Sequence, residues 1–325
     1  MIGNSRELIS KFKLAKFTAI YEVGDEGIYL PEYKGSTLRG AFGQSFKQIG
    51  CDCAGAKHND GCVYSYVFET KPIMNFQVIN KSKDIPRPFV FETIYDPRTY
   101  FSPGERIYFS FTLYGKAIDY LPYFVVSLQE MGRYGLGKHR RRLYLRQIFQ
   151  VNVNGDFENL VYDGTKYKIY SDWNYLLGAE IVDHFNFDLN QDNVLIHFIS
   201  PTRIKSKGNY INTAPSFEEL IKAIIRRFSS IIFFHQDLSL QMDYSEFFKS
   251  ASSVKLEEYK TNWLDWERYS NRQKDRIKLG GIVGKALYAG EVTEFIDWLA
   301  IAEWIHVGKN PVFGLGKIKV VQKLN

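Results

Sequence analysis

The chain has 325 residues, 45% hydrophobic, 24% charged and 16% aromatic, with a formal net charge of +6. So much apolar residue at so low a net charge excludes intrinsic disorder, and the length suits two domains that each bury a core. No apolar run reaches about 18 residues, so no membrane-spanning helix or membrane partner is expected; no signal peptide is evident at the start, and three cysteines cannot pair into a disulfide framework, which points to a reducing cytoplasm.

In chain order, residues 11–23 read as a strand and Ser36 to about Ile49 as a helix. Cys51, Cys53, His58 and Cys62 follow as C-x-C-x4-H-x3-C, four side chains of the types that zinc accepts. The C-x-C step is tighter than the usual C-x2-C, so a structural zinc and a plain surface loop both remain open. Segments near 87–94 and 105–115 read as strands. Leu121, Phe124, Val125 and Leu128 then recur at helical spacing behind a candidate cap, Asp119, giving a helix near 119–131. A glycine loop leads into a strand near 140–153. The polar stretch 155–190 carries short strand-like pieces and is the expected boundary.

Val194 to Ile199 opens the second half as a strand. Ser216 and Glu219 are spaced as a capping box for a helix with the stripe Phe217, Leu220, Ile221, Ile224, Ile225, Phe228. Residues 255–269 and 277–289 read as strands, and Val292, Phe295, Ile296 and Leu299 mark a last helix before a second glycine loop and a final strand through Ile318 and Val320.

The two loops are a repeat: Tyr134-Gly135-Leu136-Gly137-Lys138 recurs as Phe313-Gly314-Leu315-Gly316-Lys317. Both halves thus give strand, helix, strand, strand, helix, strand, the split βαββαβ order. The expected fold class is α+β: two tandem ferredoxin-like (RRM-like) domains with a C-terminal glycine-rich loop. Residues 1–155 would form the N-terminal domain with the cysteine-containing insert, 156–190 a connector and 191–325 the C-terminal domain.

Glycine loops let backbone approach a ligand, and their N–H groups can hold phosphate, although a tight helix-to-strand turn alone would also use them. Neither loop opens a helix after a strand, as a dinucleotide fingerprint must, and GK[ST] is lacking. Between Met131 and Arg146 lie Arg133, Lys138, Arg140, Arg141, Arg142 and Arg146 with no acid, interleaved with Tyr134 and Tyr144. Arginine beside aromatics suits phosphate contact and base stacking. A weaker cluster, Arg268, Arg272, Lys274, Arg276 and Lys278, lies beside Trp263, Trp266 and Tyr269. There is no G-x-S-x-G, H-E-x-x-H or EF-hand loop, and Glu218 and Glu219 sit at a helix start where they serve its dipole.

Several stretches together carry a resemblance: Tyr33-Lys34-Gly35-Ser36 with Leu38-Arg39-Gly40-Ala41-Phe42-Gly43; Ser200-Pro201-Thr202-Arg203-Ile204-Lys205; Trp266 through Gln273; Leu279 through Gly284; and His306-Val307-Gly308-Lys309 with Phe313-Gly314-Leu315-Gly316. They resemble the RAMP superfamily of CRISPR-associated proteins, and within it the Cas-six type endoribonuclease that cuts precursor CRISPR RNA in its repeat. The likeness is densest over about 195–322 and reaches back to about 30. It implies metal-independent cleavage by 2′-hydroxyl attack, leaving a 2′,3′-cyclic phosphate and a 5′-hydroxyl. It also implies repeat RNA as partner, with other CRISPR effector subunits as further partners.

That chemistry needs a base, an acid and cations for the phosphorane charge. Histidine suits the proton transfer, and His139, inside the basic run, is the leading candidate base. His306 reads better as a helix-end residue, His235 and His197 as structural, and His184 falls in the connector. Expected RNA contacts are Arg39, Arg133, Lys138, Arg140, Arg141, Arg142, Arg203, Lys205, Arg268, Arg272, Lys309, Gly314, Gly316 and Lys317. Relatives in the resemblance often carry a longer insert with four cysteines at the place of Cys51–Cys62, where His58 could replace the missing one. A catalytic zinc is not expected, because the implied reaction needs none and no H-x-E pattern is nearby. The competing expectation is a non-catalytic RAMP subunit that holds crRNA.

Overall fold

The structure is a computed structural model describing residues 2–54, 57–70, 85–93, 96–188, 192–265, 267–270 and 275–321. The chain divides into two compact units: one holds residues 13–176 with 234–236, the other residues 1–12, 177–233 and 237–325.

The first unit is built on β1 (Lys13–Val23), α1 (Gly35–Gly50), α2 (Val63–Glu69), β2 (Phe89–Thr93), β3 (Arg106–Tyr114), α3 (Leu121–Tyr134), β4 (Leu143–Val151) and β5 (Phe157–Asp163). Its antiparallel sheet runs β2-β3-β1-β4-β5, so the four strands of the βαββαβ motif lie in the order 2-3-1-4. Where the connector was expected, β5 pairs with β4 and extends this sheet, and a short helix follows at Gly178–His184.

α3 begins differently from the expectation. Residues Gly115–Tyr120 form a 3-10 turn that runs directly into it, so Asp119 lies inside helical backbone and makes no cap; Pro122 instead supplies the preset φ of the first turn. The core is aromatic. The Phe42 ring lies 4.9 to 6.1 Å from those of Phe46, Phe68, Phe89, Phe91 and Phe124, joining α1, α2, α3 and β2. Deleting such a buried ring costs about 3–5 kcal/mol.

The second unit contains β6 (Asn193–Thr202), α4 (Phe217–Gln236), α5 (Tyr244–Ser253), β7 (Lys255–Leu264), β8 (Glu267–Ser270), β9 (Asp275–Lys278), β10 (Gly281–Ala289), α6 (Ile296–Ile305) and β11 (Ile318–Val321). Its main sheet runs β7-β10-β6-β11, again 2-3-1-4 and antiparallel. The two expected strands are shorter than read, because β8 and β9 pair with each other as a separate hairpin.

The α4 capping box forms as its spacing predicts: the Glu219 N–H donates to Ser216 Oγ at 3.3 Å and the Ser216 N–H to Glu219 Oε2 at 3.0 Å. α6 is buried nearly all round, on Ile296, Trp298, Leu299, Ala300, Ile301, Ala302 and Ile305, as a core helix must be. Phe228 meets Trp298 edge-on at 5.4 Å, and Phe247 meets Phe295 at 4.9 Å. Among the described residues, no helix is long and apolar enough to cross a membrane.

Candidate nucleic-acid interface

In the first unit, α3 ends where Gly135 takes φ 83° and its N–H reaches Met131 O at 3.1 Å. The loop then closes through Leu136 and Arg141, whose backbones exchange hydrogen bonds at 3.0 Å. Gly137 has φ 73°, and a Cβ there would sit 2.2 Å from Tyr29 O, so only glycine fits.

The basic run splits into two groups. Arg133 pairs with Glu130 at 2.7 Å, Arg146 with Glu22 at 2.7 Å and Arg141 with Glu26. Lys138, Arg140 and Arg142 are exposed, and among the described residues no acid pairs with them. His139 is exposed between Lys138 and Arg140 in the turn, with no hydrogen bond among the described residues. Arg133 lies 5.1 Å over Tyr134, and Arg146 5.2 Å over Tyr144.

Sequence reasoning missed two aromatics here. Tyr29 and Tyr100 are 58% and 42% exposed with ring centroids 4.8 Å apart, and Tyr29 also offers the carbonyl against which Gly137 is packed. No sequence signal joins residues 29, 100 and 137; only the pairing of the short strands Ile28–Tyr29 and Tyr100–Phe101 does. Arg39, on α1, lies 5.1 Å over Phe68 of α2.

In the second unit, the loop after α6 is seated on the end of β6. Lys309 N–H donates to Arg203 O at 3.0 Å, Gly316 N–H to Pro201 O at 3.1 Å and Val307 N–H to Gly316 O at 2.8 Å. Ser200 Oγ donates to Gly314 O at 2.8 Å and accepts from Lys317 N–H at 2.8 Å. Gly314 and Gly316 adopt φ 84° and 81°.

Beside this loop, the Arg203 guanidinium and the Lys205 ammonium share the Tyr210 ring. The repeated lysines differ: Lys317 Nζ donates to the Glu303 carbonyl of α6 at 2.7 Å, whereas Lys138 is exposed. Arg268 lies in β8, opposite Ile277 of β9. Arg272, with Lys274 and Trp266, lies outside the described residues.

His306, His235 and His197 are packed, whereas His184, at the end of the Gly178–His184 helix, is exposed. His306 is buried and its Nδ1 lies 2.8 Å from Leu315 O, fastening the loop. His235 is buried, 3.2 Å from Tyr66 OH and 2.9 Å from Pro86 O. His197, in β6, is held below the usual histidine range by burial and by the charge of Lys285 opposite it.

The cysteine segment gathers as its residue types suggest. The ligand atoms of Cys51, Cys53, His58 and Cys62 all lie within 4.8 Å of one another, a donor set that could hold zinc. The Cys62 thiol is pushed up by burial and by its neighbours Cys53 and Cys51.

Residues 12–174 match the AF_1859_N family, described as an N-terminal domain. Residues 196–318 match the family of the CRISPR-associated endoribonuclease Cas6. Among solved structures, the chain is similar to a partial Cas6-RT-Cas1–Cas2 complex at 13% identity, over 97% of this chain and 47% of that one, with a TM-score of 0.59. It is similar to a Cas6 product complex at 12% identity, over 95% and 99%, with a TM-score of 0.56. Against Thermus thermophilus Cas6 the identity is 10%, over 95% and 99%, with a TM-score of 0.54. At such identities the likeness is one of fold. The chain spans about half the length, 47%, of the first of these structures. No curated protein matches the chain.

Proposed function

We propose that this chain, which belongs to the AF_1859_N family through residues 12–174, is a Cas6-type protein of the RAMP superfamily and an endoribonuclease that cuts precursor CRISPR RNA within its repeat. The observation that carries this reading is the Cas6 endoribonuclease match over residues 196–318. The exposed cations Lys138, Arg140, Arg142 and Lys205 support it as phosphate contacts, with Arg203 buried against the Tyr210 ring that Lys205 also faces.

In the proposed reaction the ribose 2′-hydroxyl gives up its proton to a base and its oxygen attacks the adjacent phosphorus. The bond from phosphorus to the 5′-oxygen breaks, and that oxygen takes up a proton. The products are a 2′,3′-cyclic phosphate and a 5′-hydroxyl. His139 is the assigned base, in reach of substrate because it is exposed among the cations that would hold it. Nearby arginine and lysine stabilise the phosphorane charge, so the step uses no metal. A cytoplasmic setting agrees with three free cysteines.

Purified protein with EDTA present is expected to cut a repeat RNA at one site. Replacing the 2′-hydroxyl there by hydrogen should stop cleavage and leave binding intact. Cleavage of the deoxy substrate would refute the 2′-attack. Tight binding with no cleavage of the all-ribose RNA would instead favour a non-catalytic RAMP subunit holding crRNA in a complex with other CRISPR subunits. The exposure of His139 without any orienting bond is the observation on that side.

A further inference from the structure

The Cys51–Cys62 segment joins α1 to α2: Cys51 is the first residue after α1, and Cys62 the last before α2. Three sulfurs and one imidazole nitrogen converge there, all within 4.8 Å of one another. Cys51 Sγ lies 3.3 Å and Cys62 Sγ 3.6 Å from His58 Nδ1. A tetrahedral zinc, with Zn–S of about 2.3 Å and Zn–N of about 2.0 Å, sets sulfur and nitrogen about 3.5 Å apart. The two observed separations fall on either side of that value.

The surroundings are those of a metal ligand set. His58 turns Nδ1 to the sulfurs and Nε2 to Glu69 Oε2, 3.4 Å away, which fixes the orientation of the ring. The Asn59 N–H donates to Cys53 Sγ at 3.2 Å and so orients that sulfur. Sulfur-rich tetrahedral sites with nitrogen select zinc over the hard divalent ions.

We propose that Cys51, Cys53, Cys62 and His58 Nδ1 bind one structural zinc ion, with Glu69 as the orienting partner of His58. The four protein ligands close the coordination shell and leave no position for a substrate or water, so the ion serves structure. Binding replaces the thiol protons, up to three per ion. The ion fastens the end of α1 to the start of α2, and α2 carries Phe68, the ring under Arg39 and against Phe42 and Phe46. The site stands apart from the RNA reading and holds whether or not the chain cleaves RNA.

The full chain, purified under reducing conditions without chelator, is expected to contain one zinc per molecule by elemental analysis. Exchange for Co(II) should give the intense visible bands of a tetrahedral site together with thiolate-to-metal charge transfer. The exposed Glu69→Gln variant should fold normally by circular dichroism and bind zinc roughly ten- to a hundredfold more weakly. Cys51→Ser with Cys53→Ser should lose the ion and the charge-transfer band. Zinc well below one equivalent after reconstitution, or one equivalent unchanged in the double serine variant, would overturn the proposal; unchanged affinity in Glu69→Gln would remove Glu69 from it.

Discussion

The Arg203 guanidinium lies 4.3 Å from the centroid of the Tyr210 ring, and the Lys205 ammonium lies 4.7 Å from the same centroid. One ring thus gathers two cations beside the loop whose Lys309 N–H bonds the Arg203 carbonyl. Cation–ring attraction is worth about 0.5–2 kcal/mol. Tyr210→Leu is therefore expected to weaken repeat-RNA binding by about two- to thirtyfold. Lys205→Ala should have a smaller effect in the same filter-binding titration. Equal affinity in both variants would take this pair out of the interface.

Salt titration separates the two groups of the first basic run. Each phosphate contact on single-stranded nucleic acid adds about 0.7 to the slope of log K against log salt. Replacing Lys138, Arg140 and Arg142 together by alanine should lower that slope by about 2. Replacing Arg133, Arg141 and Arg146 should lower it less, because Glu130, Glu26 and Glu22 already share their charge.

His139→Ala should reduce the single-turnover cleavage rate by about 10²–10⁴-fold while leaving the dissociation constant nearly unchanged. A normal rate in His139→Ala would assign the base elsewhere.

Gly316→Ala tests what the second loop's glycine is for. Its φ is 81°, and a Cβ there would sit 2.1 Å from Val307 O. Thermal unfolding should shift down by several degrees even without RNA, since the substituent forces the loop off its seat. An unshifted transition would mean that the backbone does not need glycine there.

Glu22 gives a pH signature. Hydrogen bonding from Arg146 holds its carboxyl below the usual glutamate range. A lowered carboxylate contributes stability that is whole above its unfolded value of about 4.3 and is lost as pH falls through the lower folded value. The gap in melting temperature between the parent and Glu22→Gln should therefore narrow as pH drops from about 7 toward about 3. A constant gap would refute the coupling.

Much of this arrangement was legible because the periods differ. Leu143 and Leu145 alternate, whereas Phe217, Leu220, Ile221 and Ile224 step by three and four, so strand and helix separate cleanly. The matching 2-3-1-4 orders of the two sheets follow from that element order. The caps were less legible: Ser216 holds its box, but a 3-10 turn carries helical backbone past Asp119. The charge partners of Arg141 and Arg146 were hidden as well. Glu26 and Glu22 are more than a hundred residues away in sequence, and only the register of β1 against β4 brings them near. The repeat predicted equal lysines, yet Lys317 is spent on a helix-end carbonyl, a choice set by tertiary packing.

The bonds that seat Lys309, Gly314, Gly316 and Lys317 on Arg203, Pro201 and Ser200 at the end of β6, and the Val307 N–H bond to Gly316 O, fix the second loop before any ligand arrives. Its ordering entropy is settled when the chain folds, so a strand docking there meets a preshaped floor and needs no slow closing phase. The first loop's backbone is likewise closed, by Leu136 and Arg141, but its cationic side chains are not. Its exposed Lys138, Arg140 and Arg142 each surrender up to about 2 kcal/mol of rotamer freedom when immobilised. One duplicated module thus keeps a hydrogen-bonded backbone in both copies, while its lysine is bound in one and exposed in the other.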